Sequence, residues 1–362
     1  MDTHEYTAKR ERLHDLMRRH GADAVWLTQT ANVAWLSGGN RSYIDATTDY
    51  GVAALLVTPD RRYVLTNTIE GERLRHEEGF ADWEIVAEPW FQAPARFDEL
   101  TKGMRVLADR PHPTAIDVSA DLIKLRAPLT PPEIERYRAL GHDAGAALAR
   151  AARAVERGMT EHAIAGLIAR ETFAIGAFPT VVLVASDERL QTVRHPLPTD
   201  RRVQRVVMMV LCARRHGLIA NLTRIVHVGP APDELQRRIK AVSQIDATAI
   251  AATRPGARIA EVFAQIRQAY ADVGFADEWR NHHQGGACSY GGRDYIATPE
   301  SAEVVNAPQA FAWNPSVPGA KSEDTVLITE AGAEILTPSP DWPIQRYEVG
   351  GQTIERPAVL EL

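Results

Sequence analysis

The residues of this chain best suited to chemistry are three histidines, one glutamate and one arginine, set in glycine- and proline-rich stretches. His195 lies in Arg194-His195-Pro196-Leu197-Pro198-Thr199-Asp200, a polar loop and not an apolar helical face. An imidazole titrates near neutral pH, so one held in such a loop can take a proton from water and return it to a departing nitrogen. The plainer account is a surface histidine capped by Asp200. His282 and His283 precede Gly285-Gly286, where absent side chains let backbone or ligand come close. Neighbours on extended chain point to opposite sides. One of the pair, His282, is therefore expected to face a pocket, the alternative being a structural histidine bonded to a loop carbonyl. Cys288 suggests a thiolate paired with His282, but no third group is at hand to orient them, and a small buried hydrophobe is the better account.

These groups need elements to hold them. An amphipathic helix with Tyr6, Leu13, Leu16 and Met17 on one face opens the chain, and Gly21 stops it. The alternating charges of Lys9 to Arg19 read as its solvated face. Strand-like runs follow at Ala24 to Leu27, Val52 to Val57 and Tyr63 to Thr66, the last two separated by Pro59-Asp60. At Thr130-Pro131-Pro132-Glu133 a capping box with the favoured proline starts a helix that runs to about Glu156. Val181 to Ala185, Val206 to Cys212 and Leu218 to Val228 read as strands, the last two joined by Arg214-Arg215-His216-Gly217. Helices are expected over roughly Asp233 to Thr253 and Ile259 to Val273. Gln309 to Trp313, Thr325 to Thr329 and Ala333 to Leu336 complete the strands.

Composition narrows the partners. The chain has 362 residues, 45% hydrophobic and 24% charged, which is enough for two domains with sizeable cores. A formal charge of −6 lacks the basic footprint that nucleic acid or a membrane surface requires. Two cysteines make neither a disulfide framework nor a zinc spacing. No apolar run approaches the ~20 residues that span a bilayer, and no signal pattern opens the chain. A cytoplasmic protein acting on a small molecule is expected.

Asn32-Val33-Ala34-Trp35-Leu36-Ser37-Gly38, the capped linker helix and the run from Cys212 to Arg224 together resemble the superfamily of creatinase, prolidase, aminopeptidase P and methionine aminopeptidase. The resemblance spans nearly the whole chain. It implies an α+β fold with a small creatinase-type α/β domain over 1–127 and a pita-bread catalytic domain over 128–362, the active site lying in the concavity of a curved antiparallel sheet. The metallopeptidases of that superfamily hold two metal ions with two aspartates, a histidine and two glutamates. The matching positions here are Val210, Asn221, Gly286, Asn314 and Glu323, so only Glu323 survives. Valine and glycine have no donor atom and amides bring no charge, whereas a pair of divalent ions needs several anionic oxygens. The resemblance thus implies a metal-ligand-deficient, creatinase-like member with no metal and no cofactor.

On that basis the expected activity is metal-independent hydrolysis of a C–N bond in a small carboxylate-bearing amide, amidine or cyclic substrate, with peptidase activity not expected. His195 would be the general acid/base, with Glu323 and His282 as further catalytic groups. Arg293, in Tyr290-Gly291-Gly292-Arg293-Asp294, resembles a creatinase stretch and would clamp the carboxylate. A buried Glu323 needs a cationic partner, and Arg224 and Arg293 are the candidates. Asn221, Asn314 and His283 would line the substrate pocket. Arg41 and Tyr43 would complete the partner's site in a homodimer, as the small domain does in creatinase-like dimers. Lyase, isomerase or cyclase chemistry in the same pocket, and a silent binding protein, are the alternatives.

Overall fold

The computed structural model of the chain describes residues 3–362. Two compact units form. One holds the chain up to Arg126 with Thr130–Glu133 and His216–Leu218, and the other holds Ala127–Leu129, Ile134–Arg215 and Ile219–Leu362.

In the N-terminal unit the helix Thr3–His20 buries Leu13, Leu16 and Met17, and Gly21 ends it at φ +58°. Lys9 departs from the solvated-face expectation, for it is fully buried. Its ammonium meets Glu5 at 2.6 Å and Glu133 at 2.7 Å and donates to the Trp35 carbonyl at 2.7 Å. A buried ammonium is tolerable only with such partners. The six strands of the unit follow the order 84–88, 62–67, 50–57, 24–29, 106–108, 115–117. Asp109, also fully buried, accepts from the amides of Thr28 and Gln29 and from Asn32 Nδ2, which fixes the turn into the helix Thr30–Ser37. That is why asparagine stands at 32.

The expected capping box is present at Thr130–Glu133, where Glu133 Oε2 accepts from the Thr130 amide at 2.7 Å, and the helix Pro131–Arg153 carries the chain into the C-terminal unit. With Glu161–Ala174 it accompanies a sheet ordered 360–361, 218–227, 206–215, 178–186. His216 and Gly217 both take positive φ (53° and 77°), the conformation that a tight hairpin between 206–215 and 218–227 requires. Helices Asp233–Ala252 and Ile259–Asp272 form the second pair, beside a sheet ordered 285–287, 309–313, 324–329, 332–335. One apolar cluster joins them, with Met208 and Val210 from the first sheet, Ile245 and Ile266 from the helices, and Phe311 and Val326 from the second sheet. The architecture is a small α/β unit followed by a mixed α+β unit of two helix-and-sheet halves.

Candidate active site

The loop bearing His195 is pinned on both sides. Arg194 Nη2 lies 2.6 Å from Glu278 Oε2, and the Pro196 carbonyl accepts from the Val184 amide at 3.0 Å. Glu278 opens the short 3-10 turn Glu278–Asn281, which delivers the chain to His282. Gln284 then ties that segment inward, since its Oε1 accepts from Tyr270 Oη at 2.8 Å and its Nε2 donates to the Trp279 carbonyl at 3.1 Å.

The result is a cluster of three imidazoles. His195 Nε2 lies 3.0 Å from His282 Nε2, and the rings of His282 and His283 stack with centroids 4.6 Å apart. One nitrogen from each of the three falls within 4.8 Å of the others. Both members of the adjacent pair therefore reach one place, contrary to the alternation expected of extended chain. His283 is turned back along the backbone, its Nδ1 accepting from the Gly285 amide at 3.2 Å. Burial, followed by the charge of Lys321, pushes His282 down to about 2. Burial and Arg293 push His283 down to about 4, and His195 is lowered by burial and Lys321. All three rings are neutral at pH 7, the form that offers lone pairs to a cation.

Beside them Glu323, 3% exposed, is held between two cations. Arg293 Nη2 lies 2.7 Å from Oε1 and Lys321 Nζ 2.7 Å from Oε2, and Thr223 Oγ1 donates to Oε2 at 2.8 Å. Burial opposes this charge, but Lys321 and Arg293 outweigh it and hold the carboxyl well below the usual carboxylate range. Glu323 is a fixed anion and no proton donor. Its neighbour Asp324 anchors the strand from the opposite side, paired with Arg224 at 2.9 Å and Arg356 at 2.8 Å. Arg224, expected as a partner of Glu323, belongs to that second pair, because successive strand residues face opposite ways.

Of the five positions matched to the two-metal site, Val210 and Gly286 present no donor. A Cβ at Gly286 would collide with the Tyr295 carbonyl oxygen, so no side chain fits there. Asn221 and Asn314 are buried, each with an Oδ1 that has no hydrogen-bond partner among the described residues. Both oxygens of Glu323 are engaged. A carboxylate-bridged ion pair does not fit these residues. The three histidines do fit one ion: their donors are neutral imidazoles, and the buried His282 Nδ1 has no hydrogen-bond partner among the described residues. This corrects the expectation of a metal-ligand-deficient, metal-independent protein. The ligand count along the family's positions overlooked a set assembled from a different loop and the His282-His283 step.

Two further sequence candidates belong to the N-terminal unit, and a third is a cysteine. Arg41, in the N-terminal unit, is paired with Glu78 at 2.8 Å, and Tyr43 belongs to the same unit. Cys288 is no nucleophile, for burial pushes its thiol up to about 12 and Tyr137 Oη lies 3.4 Å from the sulfur. Lys321 and Thr223 were missed. Alternation was the available signal for Lys321, since residues two apart on extended chain share a face and Lys321-Ser322-Glu323 sets ammonium beside carboxylate.

Fold and site together define a two-domain protein of the pita-bread type with a histidine-rich centre. The chain belongs to metallopeptidase family M24, whose model matches residues 135–330, and the creatinase/prolidase N-terminal domain matches residues 9–118. It is similar to an uncharacterized peptidase of Staphylococcus saprophyticus, 23% identical over 91% of this chain and 99% of that protein. The prolidase of Pyrococcus horikoshii has the same fold at a TM-score of 0.79 and 19% identity, covering 91% of this chain and 98% of that one. The Xaa-Pro dipeptidase of Bacillus anthracis aligns at 0.77 and 19%, covering 99% and 100%. These relatives overturn the expectation that peptidase activity is unlikely.

Proposed function

We propose that this chain hydrolyses a peptide-type C–N bond in a small substrate, with one divalent metal ion held by His195, His282 and His283. The convergence of three neutral imidazoles beside a buried, ion-paired carboxylate carries the reading, and the peptidase names of its relatives support it. Imidazole sets favour zinc and its neighbours in the transition series over magnesium or calcium. When bound, the ion would supply Lewis acidity, polarising a carbonyl and making water more acidic.

The protein's own groups set the rest. Lys321, Arg293 and Glu323 sum to one positive charge, which favours a substrate bearing a carboxylate near the reacting bond. Lys321 donates to Glu323 alone among the described residues, so its remaining N–H donors are available to that carboxylate. Asn221 Oδ1 and Asn314 Oδ1 are unpaired acceptors suited to substrate N–H groups. An incoming molecule without such donors would leave them buried and unsatisfied, which is costly.

Calorimetric titration of chelator-treated protein with zinc or cobalt tests the assignment. Binding at one ion per chain is expected, with each His→Ala variant weakening it at least tenfold, and hydrolysis of Xaa-Pro dipeptides should appear with the metal. His195→Ala also separates ligand from proton carrier: a ligand role removes metal binding, whereas a proton-carrier role removes activity and leaves the metal in place. Wild-type protein that binds no ion would overturn the reading.

A further inference from the structure

The N-terminal unit contains a cavity of its own, unconnected with the histidine cluster by any lining residue. It measures about 380 Å³ and opens over the strands 24–29, 50–57 and 62–67, covered in part by the segment from Glu88 to Phe97. That volume lies within the roughly 300–1,000 Å³ of small-molecule sites.

Three features of its wall bear on what it would take. Its sides are aromatic. Trp26 and Phe97 pack with ring centroids 4.2 Å apart and rest on the apolar cluster of this unit, which makes them a rigid surface. Trp90 stands at the mouth, 65% exposed. The cavity also has one cation, Arg110, whose guanidinium lies 4.5 Å over the Tyr50 ring and pairs with no carboxylate among the described residues. It has one anion as well. Glu88 Oε1 accepts from the amides of Ala95 and Arg96 at 2.9 and 3.2 Å, and Oε2 has no donor among the described residues.

We propose that this cavity is a binding site for a small aromatic zwitterion, of the size and charge pattern of an aromatic amino acid. The ring would stack among Trp26, Phe97 and Trp90, Arg110 would receive the carboxylate, and Glu88 Oε2 would receive the ammonium. A concave wall with one charge of each sign suits such a molecule better than a flat protein partner. A planar guanidinium already stacked on tyrosine is oriented for a carboxylate before the ligand arrives. The proposal is independent of the reading of the histidine cluster.

Calorimetry on the full chain with L-phenylalanine, 3-phenylpropionate and 2-phenylethylamine tests it. L-phenylalanine should bind with a Kd of about 0.1–1 mM, and each single-ended analogue more weakly by tenfold or more. Arg110→Met should abolish the preference over 2-phenylethylamine, and Glu88→Gln the preference over 3-phenylpropionate. Trp90→Ala should weaken all three ligands. His282→Ala should leave the binding unchanged, which separates this site from product binding at the histidine cluster. The proposal is overturned by no heat at about 10 mM ligand, well above the expected range, by binding indifferent to Arg110 and Glu88, or by binding lost with His282. An oligomeric mass lower for Trp90→Ala than for the wild-type chain, with no ligand bound by either, would assign the cavity to a subunit contact and overturn it equally.

Discussion

At the scale of single residues, the decisive object is Glu323. A carboxylate at 3% exposure survives as an anion because two cations and a hydroxyl surround it. Its ordinary value of 4.5 applies to the unfolded chain, and the folded value lies lower. On acidification the unfolded chain therefore takes up the proton first. The stabilisation is complete above the unfolded value and drains away as pH falls toward the folded one. Between pH 7 and 4, wild-type protein should lose about 1 kcal/mol more than Glu323→Gln, and more below that. Urea midpoints for both at the two pH values measure it, and parallel pH profiles would refute it. The glutamine variant itself should be weaker at pH 7, since Lys321 and Arg293 would then share a neutral partner.

At the scale of elements, the helix Pro131–Arg153 shows how close packing hides from sequence. Gly141 and Gly145 sit within it, one turn apart, where helix propensity alone favours alanine by about 1 kcal/mol. The chain at Leu336–Pro338 crosses that face: a Cβ at Gly141 would collide with the Leu336 carbonyl oxygen and one at Gly145 with that of Pro338. Gly145→Ala should therefore destabilise by about 1–3 kcal/mol through overpacking. Gly166→Ala, in the helix Glu161–Ala174 with nothing within 4 Å, should be neutral or stabilising. Thermal midpoints of the two variants moving the same way would contradict this account. The same distinction explains the glycines beside the histidines, because Gly285 and Gly286 lie against the backbone of Ala312 and Tyr295. A glycine pair is visible in the sequence, but what it lies against is not.

At the scale of the whole molecule, one side chain ties distant parts of the sequence. Glu133 caps the linker helix through Oε2 and meets the buried Lys9 through Oε1 at 2.7 Å. Glu133→Gln breaks its buried ion pair with Lys9, and should cost about 2–3 kcal/mol, toward the lower end for a broken buried pair. Thr130→Ala, which touches the cap alone, should cost about 1 kcal/mol. Urea denaturation of both variants reads the difference; equal losses would show that Lys9 contributes nothing through Glu133.

Much of the architecture is legible in the sequence. Periodicity and capping mark the helix from Pro131, the strands at about 206–212 and 218–228 and the helices at about 233–253 and 259–273, each within a few residues of the observed element, because those signals are local and each residue carries its share. The histidines, the glutamate and Arg293 were also nameable one by one, and their surroundings of proline and glycine drew attention to them. Their grouping was not legible. His195 and His282 are 87 positions apart, and no pattern along a chain encodes that two such loops converge with ring nitrogens at 3.0 Å. Nor does it state which of Arg224 and Arg293 reaches Glu323: Arg224, on the strand 218–227, pairs with Asp324, and Arg293, on the irregular segment after 285–287, pairs with Glu323. Local chemistry is written in residue types and spacing; a metal-competent cluster is a property of three-dimensional proximity, and folding alone decides it.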